Sequence, residues 1–135
     1  MQKTLLNAPI TTAAALAPMG GQLLLNDAAR SICGQATFTY GSGGATVDAY
    51  LQTSIDGGVS WIDIQQFHFT TASARVVLNT SSLTAILAAY AATSGTLAAN
   101  TAKDGILGPL FQVQVASTGT YAGSSLRVDV AAQER

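Results

Sequence analysis

Apolar and polar residues alternate with a period of two through most of this chain, the spacing of strands with one buried and one wet face. The sharpest stretch is residues 45–69. Val47, Ala49 and Leu51 alternate with Thr46, Asp48, Tyr50 and Gln52. An Asp56-Gly57-Gly58 turn follows, with glycine supplying the positive φ that a tight hairpin requires. In the second arm Ile62 and Ile64 alternate with Trp61, Asp63 and Gln65. The apolar parity then slips to Phe67 and Phe69, which predicts a bulge at Gln65-Gln66.

The same period marks further strands. Residues 22–25 are a short apolar candidate. Residues 31–40 place Ile32, Gly34, Ala36, Phe38 and Tyr40 on one face, and the glycine-rich loop 41–44 links them to the hairpin. That loop opens a strand and not a helix, so it reads as a turn and not as a phosphate cradle. Residues 73–79 set Val76 and Leu78 against Arg75 and Val77. Near the end Phe111, Val113 and Val115 share one face, as do Leu126, Val128 and Val130. Seven or eight alternating strands with short turns predict an all-β, antiparallel β-sandwich of jelly-roll kind.

Two stretches break the rhythm. Residues 1–21 hold Pro9, Pro18 and Gly20-Gly21, and predict an extended N-terminal arm with a short strand over 3–6, ahead of a sandwich domain at 22–135. A helix over 12–17 is the alternative, too short to stand alone. At Leu83, Ile86, Leu87 and Tyr90 the period becomes helical. Ser81 or Ser82 can cap the stripe and Gly95 ends it, so a short helix is expected at 83–92, then a polar loop over 93–108.

Composition adds one inference. Charged residues make up 10% of the 135 and hydrophobic ones 48%, where an average soluble domain is about 25% charged. Few charges mean weak repulsion between copies and little desolvation on contact. This points to life in an assembly, or to a small Ala- and Thr-rich domain that merely lacks charge. The net charge of −1 has no basic focus, which speaks against nucleic acid. No apolar run approaches a membrane span. Asn7, Pro9, Thr11 and Thr12 interrupt the N-terminal run that would otherwise suggest a signal peptide.

Candidate chemistry is sparse. Ser54, Asp56, Gly58 and Trp61 fit the Asp-box pattern S-x-D-x-G-x-x-W, a structural turn in which the carboxylate accepts bonds from its own loop. Glycan stacking on Trp61, with Tyr50, Asp63 and Gln65 as polar neighbours, is the functional alternative. Asp48 and Asp63 are the one carboxylate pair the hairpin brings toward each other, as glycoside hydrolysis would need. His68 has no second histidine for a metal and no paired nucleophile. Cys33, without a base or cation beside it, reads as a buried thiol. The chain is read as a non-enzyme without metal or cofactor.

The order of Leu5-Leu6-Asn7-Ala8, the hairpin over 46–61 and the closing hairpin over 111–130 resembles a group of small virion proteins of tailed bacteriophages. It is similar to the jelly-roll decoration (cement) proteins of phage capsids, although the stripe at 83–90 has no counterpart there. The resemblance implies a structural virion protein, made in the host cytoplasm, that sits on the capsid surface and bridges capsomers. Its partners would be the major capsid protein and copies of itself, with no nucleic acid and no membrane. The rival readings are a carbohydrate-binding module on a virion or tail, and a tail or neck component.

Overall fold

The computed structural model describes residues 1–134 and is all β, with no helix among them. Strands β1 (Gln2–Ile10) and β2 (Ala14–Pro18) come first, then a brief β3 (Leu23–Leu24) and the long β4 (Ala29–Thr39). A short β5 (Ser42–Gly43) leads into the hairpin of β6 (Thr46–Ser54) and β7 (Ile62–Phe69), which β8 (Ala74–Ser81) follows. After a long irregular segment come β9 (Leu110–Thr118), β10 (Tyr121–Ala122) and β11 (Ser124–Glu134). Sheet I has the order β1-β11-β4-β8. Sheet II has the order β2-β9-β6-β7, with β3 prolonging the line of β2 along β9. All pairings are antiparallel, and a small β5–β10 ribbon closes one end.

The alternating residues do what their spacing predicts. Ile32, Ala36, Phe38, Leu126, Val128 and Val130 from sheet I meet Val47, Ala49, Leu51, Phe67, Phe111 and Val113 from sheet II in one buried cluster. Phe38 sits at an aromatic centre, 5.4 Å from Phe69 in a stacked pair and 5.6 Å from Tyr121 edge to face. The Tyr121 hydroxyl is satisfied by donating to the Thr70 carbonyl at 2.8 Å.

Two bulges adjust this pattern. Between Thr4 and Leu6 the β1–β11 register shifts by a residue, so Leu5 and Leu6 both point inward, each 2% exposed. The hairpin bulge falls at Ile64: Leu51 faces Gln65 while Gln52 faces Asp63. That is one residue earlier than the parity slip predicts. It turns both Ile64 and Gln65 into the core, and the Gln65 amide nitrogen donates there to the Ile32 carbonyl and the Thr80 hydroxyl, each at 3.2 Å.

The two irregular stretches of the sequence turn out differently from expectation. Residues 1–21 form no loose arm, and 12–17 no helix. β1 lies along β11 in sheet I and β2 along β9 in sheet II, while Leu5, Leu6 and Ile10 belong to the core. Prolines 9 and 18 are tolerated because both strands are sheet edges, where a missing N–H costs nothing. Residues 83–92 form no helix either. A stripe of that length folds only against an apolar surface, and here it finds none: Leu83 is 71% and Leu87 94% exposed. Cys33 corrects a third expectation. Its neighbours Ile32 and Gly34 take the inward parity, so the thiol lies exposed on the outer face of sheet I.

Candidate functional site

The Asp56 turn at the tip of the β6–β7 hairpin is organised by a buried hydroxyl. Ser54 Oγ donates to Asp56 Oδ1 at 2.8 Å and accepts the Gly58 N–H at 2.9 Å. Asp56 in turn accepts the Ser60 N–H at 2.9 Å and the Ser60 hydroxyl at 2.5 Å. These donors hold the Asp56 carboxyl down at about 2, the Ser60 bonds contributing most. Gly57 and Gly58 adopt φ of 75° and 94°, which the reversal requires. Trp61 is half-buried beside this turn. Every hydrogen bond described here closes the loop on itself.

Asp63 is placed otherwise than a glycan contact would be. It is fully buried, pointing to the outer side of sheet II but under the segment that follows β8. Its carboxylate accepts from Gln52 Nε2 at 2.8 Å, from the Thr93 hydroxyl at 3.0 Å, and from the N–H groups of Gly95, Thr96 and Leu97 at 2.8, 3.0 and 3.2 Å. Burial pushes this carboxyl up, but the bonds from Gln52, Gly95, Thr96 and Thr93 outweigh it and leave Asp63 below its ordinary value. Gln112 extends the chain of bonds by donating to Gln52 Oε1 at 3.1 Å.

A second polar row lies further along the hairpin. Asp48 Oδ1 is 2.6 Å from His68 Nδ1 and accepts from Gln66 Nε2 at 2.8 Å. Asn100, at φ 55°, ties this row to the loop: its N–H donates to Gln66 Oε1 at 2.8 Å and its side-chain oxygen accepts the His68 N–H at 2.9 Å. Tyr50 stands in the same row, its hydroxyl pushed up by burial and by the nearby Asp48 charge. Asp48 and Asp63 are not a catalytic pair, because the register sets Asp48 against His68 and Asp63 against Gln52.

Together these bonds strap residues 93–103 along the outer edge of β7. The backbone completes the strap, with Asp63 N–H to Thr93 O, Gln66 N–H to Thr101 O and Lys103 N–H to Ile64 O at 2.8, 2.9 and 2.9 Å. Lys103 also donates to the Ala91 carbonyl and lies 4.3 Å over the Tyr90 ring. Before the strap, residues 83–92 leave Leu83 and Leu87 in solvent, while Ile86 and Tyr90 lie against Gly105. Leu16 of β2, itself 37% exposed, reaches across to Gly95, where a side-chain carbon would collide with it.

Of the residues singled out from the sequence, Ser54, Asp56, Gly58 and Trp61 gather in one turn, whereas Asp63 and Gln65 are buried and apart from it. Gln52, Gln66 and Asn100 were missed. Polar residues at strand positions read as wet, and their burial depends on a loop that carries no periodicity. Among the described residues, no cluster of His, Cys, Asp and Glu could hold a metal ion, and no helix is long and apolar enough to cross a membrane. No family model and no curated protein matches the chain.

Proposed function

We propose that this protein is a structural component of a tailed-phage virion, decorating and stabilising the capsid by bridging its subunits, and that it is no enzyme. The observation that carries the reading is a pair of long charge-free stretches of chain that hold apolar side chains in solvent. From residue 76 to 102, and again from 4 to 26, there is no Asp, Glu, Lys or Arg. The two stretches meet where Leu16 touches Gly95, and they expose Leu16, Leu83, Ile86 and Leu87. The charges beside them are Lys103, which lies over the Tyr90 ring, and Lys3, whose amine reaches the Gln22 carbonyl. A freely diffusing protein gains nothing from apolar side chains held in water, whereas one docked on a large partner buries them.

The fold we propose for this role is a jelly-roll sandwich. Its support is the strand order: successive long strands pass between sheets I and II at every step except the β6–β7 hairpin, as two interlocked Greek keys require. The glycan reading is left with Trp61 and Tyr50 alone, because Asp63 and Gln65 are out of reach of any ligand. Position on the capsid or on the tail and neck is decided by which particle fragments carry the protein.

A mass-spectrometric inventory of particles purified from cultures that produce the protein tests the reading directly. The chain should be present in many copies, and purified protein should sediment with particles stripped of it. The double substitution Leu83→Ser and Leu87→Ser should weaken that binding at least about tenfold, since burying each leucine is worth about 1.5–3 kcal/mol. Its melting should stay unchanged, because both side chains are already in solvent. Absence of the protein from purified particles would sink the virion role.

A further inference from the structure

Each sheet has two outer edges, and an unprotected edge is a template for another strand. The outer strands are β1 and β8 in sheet I, β2 and β7 in sheet II. β1 is interrupted by its bulge at Leu5 and by Pro9, and the Leu5 carbonyl is taken by the Gly21 N–H. β2 is short, irregular between Ala14 and Ala17, and ends in Pro18. β7 is strapped by residues 93–103. β8 has neither bulge nor proline and runs in unbroken register along β4, and only its last residue, Ser81, is tied to another segment.

The direction of its free backbone groups follows from its last residue. The Ser81 N–H donates to Asp104 and its carbonyl accepts the Gly105 N–H, so both face away from β4. N–H and C=O groups alternate in side along an antiparallel strand. Those of Asn79, Val77 and Arg75 therefore face outward as well, and they make no bond among the described residues.

We infer that β8 is a dimerisation edge on which a second copy of this chain pairs β8 to β8, antiparallel, about a two-fold axis at Val77. In that register Val77 meets its own copy, and Arg75 meets Asn79. Those are the residues with outward-facing groups, so every free N–H and C=O gains a partner. Val76 stands opposite Leu78 on the inner side, where both are only half-covered at the margin of the core. The single charge on the strand faces an uncharged amide. The two Arg75 side chains end up four residues apart along the ladder, about 13 Å at strand spacing and beyond the screening length in physiological salt. Val77 itself, 58% exposed on the outer face, packs against its equivalent. The inference stands on this edge alone, whatever particle the protein serves.

Sedimentation of the purified full chain up to about 100 μM tests it, within the range where micromolar self-association is visible. A concentration-dependent dimer is expected, with exchange protection gained at the Arg75, Val77 and Asn79 amides. Val77→Lys sets two like charges directly opposite and should raise the dimer dissociation constant at least about tenfold, with the monomer's melting unchanged. As a check independent of that variant, Cys33→Ser with Val77→Cys should oxidise to a disulfide dimer, since paired positions of this type lie about 5.5 Å apart at Cα. Cys33→Ser with Val59→Cys, placed in the exposed turn, should not. A monomer throughout the range, a dimer indifferent to Val77→Lys, or equal cross-linking of the two cysteine variants would each overturn the inference.

Discussion

Among the described residues Asp56 is held by hydrogen bonds, with no opposing cation, and its carboxyl is lowered from 3.8 to about 2. The consequence is a pH dependence with a definite sign. A carboxyl depressed in the folded chain contributes stability in full above its unfolded value and loses it as the pH falls through the folded one. Asp56→Asn should therefore be less stable than the native chain at neutral pH, and the gap between their melting midpoints should close between about pH 4 and pH 2. A gap that stays constant across that window would mean the turn does not depend on the ionised form. The motif itself was readable in the sequence, because all its partners lie within seven residues. Cys33 was misread for an equally local reason: the parity that put Ile32 and Gly34 inside already put the thiol outside.

At the scale of elements, the strap over β7 is the feature with most consequence. An edge strand that would otherwise template aggregation is covered by a segment with no regular structure of its own. The segment is anchored by the buried Asp63 carboxylate, which accepts the N–H groups of Gly95, Thr96 and Leu97. Replacing Asp63 by Asn leaves one acceptor oxygen and adds a donor among donors. The expected cost is about 1–3 kcal/mol, the range for stranding buried polar groups. Hydrogen exchange at Gly95, Thr96 and Leu97 should quicken well before that of β6 or β9. Uniform quickening of all strands would show that the strap and the sheets open together. Strands and hairpin were legible from alternation, and the bulge from its parity slip, though one residue late. The helix at 83–92 was a misreading because helical spacing is necessary for an amphipathic helix and does not supply the surface it must rest on.

For the whole molecule, the N-terminal residues decide whether the two sheets close. β1 and β2 put consecutive pieces of chain on opposite sheets, and Leu5, Leu6 and Ile10 fill the core between. Leu6→Ala should cost about 2–5 kcal/mol in chemical denaturation, the range for emptying a buried leucine site. Removal of residues 1–20 should leave a chain without fixed near-ultraviolet aromatic signals, in contrast to the folded remainder a dispensable arm would leave. A truncated protein that still melts cooperatively would show the core to be complete without them.

By itself the sequence determined which side chains of β4, β6, β9 and β11 turn inward, where the hairpin reverses, and that the molecule carries few charges. These are consequences of a two-residue period and of turn chemistry, both written within a few neighbours. The tertiary structure decided the rest: that the first twenty residues are edge strands, that Gln52, Gln66 and Asp63 are buried beneath a loop, and that Leu83 and Leu87 stay in water. Each of those outcomes depends on a surface contributed by residues far along the chain. An alternating or helical pattern names the face that needs a partner, and only the folded molecule says whether one is there.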